Sequence, residues 1–401
     1  MSSTVLEEKR GTKTILSGDQ AVAEAAKMAN IDVVSAYPIT PQTIIVETLE
    51  HMIANGELKA KFIPVESEHS AMSAAVGASA AGARVFTSTA AQGLALMHEV
   101  VYIASSLRLP IVMAVANRAL SAPINIWNDL SDAMAERESG WIQLYAETVQ
   151  EAFDTTLEAF KIAEDPRGSL PVMVGLDGYI LSHEYEPITL PFQEDVDKYL
   201  PRRKASVRLD PTKPISIGTL APPDYYFEIK YRQERAIEQA LPIIDEMDKD
   251  FAAHFGRSYS MVEKYKTDDA DYVLVTMGSV SGTAKEEADR LRAAGMKVGV
   301  LRIRLFRPFP RSQVVDALAG VKGVGVLDRS MPMGSSAPAL YQDVITSLAQ
   351  ARQLPNSVVS FVSGIGGRDI KLSDFEQMFQ EIKTAVDGNI PYRISYPALR
   401  G

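Results

Sequence analysis

Tyr37-Pro38-Ile39-Thr40-Pro41 follows the apolar run 33–36, and its reading decides the fold. An apolar strand that leaves through a proline-fixed turn marks the ligand-binding edge of a parallel α/β sheet. Glu66-Ser67-Glu68 stands after the next strand-like run, 62–65, ahead of a stretch rich in Ala, Ser and Gly, and Asn117-Arg118 follows the apolar run 110–116. One carboxylate, one hydroxyl and one guanidinium thus converge at the ends of neighbouring strands.

Outward from these segments, short apolar runs at 33–36, 84–88, 110–116 and 170–175 alternate with Ala-rich helical stretches at 20–30 and 68–81, the signature of a parallel α/β sheet in two or three layers. From 192 to 267 the character changes. Pro201-Arg202-Arg203-Lys204, Asp210-Pro211 and Pro222-Pro223 break the chain, and one long charged helix is expected over 224–255, either as a solvated face or as a dock for a neighbouring subunit. A second α/β unit begins at Asp271, with strands expected at 272–277, 297–303, 323–327 and 358–362, a helix at 283–294, and a stop at Arg307-Pro308-Phe309-Pro310.

Composition sets the outer bounds. At 401 residues the chain exceeds one comfortable core, so two domains are expected, and 46% hydrophobic with 23% charged residues is ordinary for a globular protein. A net charge of −10 with no lysine or arginine block argues against nucleic acid or an anionic membrane as partner, although a small anion can still be bound locally. The absence of cysteine excludes disulfides, thiolate catalysis and Fe–S ligation within this chain, and the five histidines show no metal-ligand spacing. No apolar stretch approaches the ~20 residues of a membrane span, and the charged opening 1–13 has no apolar core, so a cytoplasmic location is expected.

The carboxylate, hydroxyl and guanidinium suit thiamine chemistry on a 2-oxo acid. A carboxylate against N1′ of the aminopyrimidine favours its imino tautomer, and Glu68 fits because an apolar helix would bury it. Read locally, Glu68 is first a helix cap, Glu66 is a rival carboxylate, and His69 has no role. Thr40 is held between prolines, though it also reads as a strand exit that caps a helix. Arg118 can pair bidentately with a substrate carboxylate, and the helix start after Gln92-Gly93 can face the same crevice. Gly278-Ser279-Val280-Ser281-Gly282 lacks the dinucleotide spacing, and Gly364-Ile365-Gly366-Gly367-Arg368-Asp369 reads as a tight turn.

These segments, together with Thr89-Ala90-Ala91-Gln92-Gly93, Gly140-Trp141, Ala221-Pro222-Pro223-Asp224-Tyr225-Tyr226, Val275-Thr276-Met277-Gly278-Ser279 and Arg307-Pro308-Phe309-Pro310, resemble the alpha subunits of pyruvate:ferredoxin oxidoreductases over nearly the whole chain. The resemblance implies an α/β fold with a thiamine-diphosphate-type pyrimidine-binding domain at 1–195, a connector at 196–268 and a transketolase-C-terminal-like domain at 269–401. It implies CoA-acylating oxidative decarboxylation of a 2-oxo acid, pyruvate first. The resemblance further implies that thiamine diphosphate is shared with a beta subunit carrying Mg²⁺ and [4Fe-4S] clusters, that gamma and delta subunits complete the complex, and that ferredoxin or another acceptor takes the electrons. In this likeness Glu68 is the N1′ carboxylate, and Thr40 and Arg118 contact substrate. The chain has Asp177-Gly178 but no full diphosphate and metal motif, consistent with a split site.

One departure concerns Trp127-Asn128-Asp129-Leu130-Ser131-Asp132, where the family commonly reads Trp-Asn-Asp-His or Gln-Gln-Asp. A Leu130 facing substrate would make the pocket more apolar and raise a branched-chain or aromatic 2-oxo acid such as phenylglyoxylate. A non-catalytic scaffold is the alternative of another class.

Overall fold

Apolar runs without polar alternation form strands covered on both faces, as parallel sheets require. The computed structural model describes residues 11–205 and 207–400, so the charged opening 1–10 lies outside the described residues. Its first strands are β1 (Thr12–Ser17), β2 (Val33–Ala36), β3 (Lys61–Pro64), β4 (Val85–Thr89), β5 (Ile111–Asn117), β6 (Ile142–Tyr145), β7 (Val172–Asp177) and β8 (Tyr185–Leu190). Then follow β9 (Val262–Tyr265), β10 (Tyr272–Thr276), β11 (Val298–Ile303), β12 (Leu305–Arg307), β13 (Gly323–Asp328), β14 (Ser357–Val362) and β15 (Tyr392–Ser395).

The first sheet runs β12-β6-β7-β5-β4-β2-β3 and is parallel except for β12. All seven residues of β5 are buried. On one face lie the helices Gly18–Met28 and Val149–Glu164, whose apolar residues join one core, and on the other lie Glu68–Ala80 and Ala91–Ser106, joined in another. The result is a three-layer unit. A second sheet, β15-β14-β13-β10-β11-β9, is parallel except for β9, while β1 and β8 form a separate antiparallel ribbon.

Where the structure departs from the sequence reading, the causes are local. The ribbon strands β1 and β8 are half exposed and carry no buried run to announce them, and β6, β9, β12 and β15 have only three or four residues each. The stop at Arg307-Pro308 is real, but the residues just before it cross back to close the edge of the first sheet beside β6. The expected long helix is two, Pro223–Glu238 and Ala240–Phe255, meeting at Gln239. Pro242, which has no N–H to donate, fits the first turn of a new helix better than the interior of an old one.

Buried ion pairs lock the two units together. At the end of β11, Arg302 bonds Glu151 at 2.9 Å, and Arg304, fully buried, bonds Asp248 at 2.8 Å and also Glu158. Asp177, at the end of β7, receives Arg329 at 2.5 Å and the backbone N–H of Ser279 at 3.0 Å. That carboxylate is thus committed to holding the second unit in place. Among the described residues no helix is long and apolar enough to cross a membrane.

Candidate active site

Glu68 opens the helix Glu68–Ala80, whose preceding residue Ser67 caps it by accepting the Ser70 N–H at 3.3 Å. The Ser67 hydroxyl therefore does the capping, which leaves the Glu68 carboxylate unused by its own helix. Small buried residues, Ala71 and Ala75 among them, let this helix approach Ala91–Ser106 closely, and at the contact stands Gly93. A Cβ on Gly93 would sit 2.7 Å from Glu68 Oε1 and 2.5 Å from Thr89 Oγ1, so only glycine leaves room for the carboxylate there. Glu68 is 7% exposed and accepts no hydrogen bond from the described residues. Glu66 instead is exposed and takes the Ser70 hydroxyl, and His69 faces Glu99 at the surface.

Thr40 and Arg118 meet directly. Arg118 is buried, its Nη1 donating to the Thr40 carbonyl and its Nε to the Asn125 carbonyl, both at 2.9 Å. It has no carboxylate ion pair among the described residues, and burial pulls its pKa down. A buried guanidinium satisfied only in part by neutral carbonyls is suited to an anion. The turn that presents Thr40 is pinned by Gln42, whose amide donates to the Ser88 carbonyl at 2.7 Å and so ties the turn to the end of β4. Thr40 itself is exposed.

Asp132, which the sequence reading passed over, organises the crevice. Fully buried, it accepts from the Asn117 amide at 2.9 Å, from the backbone N–H groups of Arg118 and Ala91 at 3.0 Å, and from its neighbour Ala133 at 2.7 Å. One carboxylate thereby ties the end of β5 to the helix start that leads to Gly93. Burial pushes its pKa up to about 7, against the hydrogen bonds that pull it down. The only sequence signal for it was an acid shortly after a strand-end Asn-Arg pair. Glu68 bonds to neither Thr40 nor Arg118; Asp132 joins the Gly93 side of the crevice to the Arg118 side.

The glycine turn of the second unit completes the frame. The Asn125 side chain donates to the Gly366 carbonyl at 3.1 Å, the Gly367 N–H donates to the Asn128 carbonyl at 2.5 Å, and a Cβ on Gly367 would fall 2.3 Å from Trp127 Cβ. This turn grips the loop that carries one of the two carbonyls on Arg118, a role the sequence did not suggest. Trp127 is half exposed, with the ring of Tyr179 6.2 Å away. Leu130, in contrast, is 2% exposed in the core formed with Met134, Tyr145 and Phe306, so it does not face substrate and supplies no argument for a bulkier one.

Three buried polar groups near the crevice lack partners: Thr89 Oγ1, both amide atoms of Gln92, and Asn117 Oδ1. With the unclaimed Glu68 carboxylate, they suit a polar heterocycle that brings both donors and acceptors. The residues present fit the pyrimidine part of thiamine diphosphate.

Most of the chain resembles known proteins. Residues 24–249 match the family described as pyruvate flavodoxin/ferredoxin oxidoreductase, thiamine diphosphate-binding, and residues 270–375 match core domain II of pyruvate:ferredoxin oxidoreductase. The pyruvate synthase subunit PorA of Methanothermobacter thermautotrophicus is 51% identical over 91% of this chain and 94% of its own. The ketoisovalerate oxidoreductase subunit VorA of Pyrococcus abyssi is 45% identical over 95% of this chain and 96% of its own. A solved 2-oxoglutarate:ferredoxin oxidoreductase from Magnetococcus marinus, 21% identical, superposes with a TM-score of 0.72 over 93% of this chain and 65% of that one, a likeness of fold. The chain belongs to the pyruvate:ferredoxin oxidoreductase family, carrying its thiamine-diphosphate-binding domain and its second core domain in that order.

Proposed function

We propose that this chain is the alpha-type subunit of a CoA-acylating 2-oxo acid:ferredoxin oxidoreductase that acts on pyruvate, and that it contributes the pyrimidine side of a thiamine diphosphate site completed by a beta subunit. The observation that carries this reading is the buried Glu68 carboxylate, unclaimed by any described residue and lying against Gly93. The identity of 51% to a pyruvate synthase subunit points the same way. Thiamine diphosphate, when bound, supplies the carbanion centre and electron sink for decarboxylation.

The residues of this chain position and polarise. Glu68 accepts a hydrogen bond at N1′ and holds a proton there, in a site from which its burial excludes water. Arg118 pairs with the substrate carboxylate, kept in orientation by the Thr40 and Asn125 carbonyls. The Thr40 hydroxyl donates to the oxygen on which negative charge develops. Mg²⁺, the diphosphate and an iron–sulfur cluster are assigned to the beta subunit, since a chain without cysteine offers no thiolate to a cluster. Gamma and delta subunits, ferredoxin and coenzyme A complete a cytoplasmic complex, and the domain limits 1–195, 196–268 and 269–401 are part of the same proposal.

The 45% identity to a ketoisovalerate oxidoreductase subunit favours one second reading, the same chemistry on a branched 2-oxo acid. A reconstituted complex assayed with pyruvate, 2-oxoisovalerate, 2-oxoglutarate and phenylglyoxylate decides between them. The proposal expects the highest kcat/KM on pyruvate, and preference for another acid contradicts it.

A further inference from the structure

β5 has two ends. Arg118 follows the one at the candidate active site; Arg108-Leu109-Pro110 precede the other, about 20 Å away at ~3.3 Å per residue. At this far end, on the opposite edge of the sheet, lies a cavity of about 650 Å³.

Its charges do not balance. Among the acidic residues and cations that line it, Glu164 is held by Arg84 at 2.7 Å, Asp165 by Arg167 at 2.8 Å, Arg202 by Asp32 at 3.3 Å, and Lys161 by Asp250. Arg108, Arg203 and Lys204 remain, and none has an ion-pair partner among the described residues. The Arg108 Nη2 reaches the Gly168 carbonyl while its Nε is buried with no acceptor, and the Arg203 Nη1 reaches the Ala83 carbonyl. Burial pulls the pKa of both guanidinium groups down. The loop that carries the basic residues is anchored, because fully buried Arg84 donates to the Pro201 carbonyl at 2.6 Å. Beside the cations, Leu107, Leu109, Val207 and Ile217 give the cavity an apolar wall.

Three cations without an ion-pair partner among the described residues, in a concavity with low-dielectric walls, focus a positive field on a chain whose net charge is −10. Arginine forks match tetrahedral oxyanions, an apolar wall matches a flat ring, and the volume suits a ligand of nucleotide size. We propose that this cavity is a second ligand site, separate from the active site, that binds a phosphorylated small molecule of nucleotide size. Its phosphates face Arg108, Arg203 and Lys204, and its ring lies on the leucine and valine wall.

Calorimetric titration of the assembled complex with ADP, pyrophosphate and adenosine tests this. The expected result is saturable ADP binding with Kd below about 1 mM, weakening steeply with salt, competed by pyrophosphate, and weakened at least about tenfold in Arg108→Gln and in Lys204→Gln. Lys204 is exposed and bonds to no described residue, so its variant keeps the fold, which a thermal melt checks. Absence of saturable binding at low salt, ADP binding unchanged in a Lys204→Gln complex that melts like the native one, or adenosine competing as well as pyrophosphate would each overturn the proposal.

Discussion

Glu68 and Gly93 are matched in shape: the carboxylate oxygen lies 2.7 Å from the place a side chain on Gly93 would start. Two helices that approach through small residues therefore leave one acid buried and unclaimed. Gly93→Ala is expected to push Glu68 aside and lower kcat by about 10²-fold, the cost of displacing a catalytic group by about 1 Å. Steady-state rates of the reconstituted complex, with a circular dichroism melt to show retained fold, measure this; a native kcat in the variant would mean that Gly93 does not set the position of Glu68.

The Arg118 guanidinium donates to two carbonyls and forms no carboxylate ion pair among the described residues, which suits it to a substrate carboxylate in the proposed reaction. Arg118→Lys keeps the charge but loses the fork. KM for pyruvate should rise by about 10- to 100-fold while kcat changes less. An equal fall in kcat with KM unchanged would place Arg118 in another role.

The second unit reaches the site through Gly367, whose φ of 78° and contact with Trp127 leave no space for a side chain. Gly367→Ala should displace the loop that supplies the Asn125 carbonyl and raise KM in the same direction as Arg118→Lys. Combined in one chain, the two substitutions should be less than additive, because they act on one contact.

Asp132 gives stability a pH dependence. Its carboxyl titrates near 3.9 in an unfolded chain and at about 7 in the folded one, where burial outweighs its hydrogen bonds. Between these values the unfolded state binds fewer protons, so its contribution to stability falls as pH rises from about 4 to 7, by at most about 1.4 kcal/mol per pH unit, and is lost above the folded value. Urea unfolding of Asp132→Asn across this range should show a flatter slope than the native chain. An unchanged slope would assign the pH dependence to other groups.

Much of this was legible in the sequence, and the reasons are physical. Strands such as β5 and β10 are covered on both faces and read as apolar runs, and the Pro-bounded turn at Thr40 announces a strand exit. Ribbon strands β1 and β8 are half exposed and carry no buried apolar run to announce them. Leu130 carried no mark to distinguish a residue facing substrate from one in the core, because burial against Tyr145 and Phe306 depends on contacts distant in sequence. The roles of Asp132 and of the Gly366-Gly367 turn were not legible for the same reason: each acts through groups that only the folded chain brings near, Ala91 for one and Asn125 for the other.

In the proposed function, Glu68 of this chain serves a cofactor whose diphosphate a partner holds. Hydrogen–deuterium exchange at C2 of thiamine diphosphate bound to the reconstituted complex tests it most directly. Glu68→Gln should slow that exchange by at least about 10²-fold while the cofactor stays bound. Exchange at the native rate in a cofactor-loaded Glu68→Gln complex would mean that Glu68 takes no part in activating the cofactor.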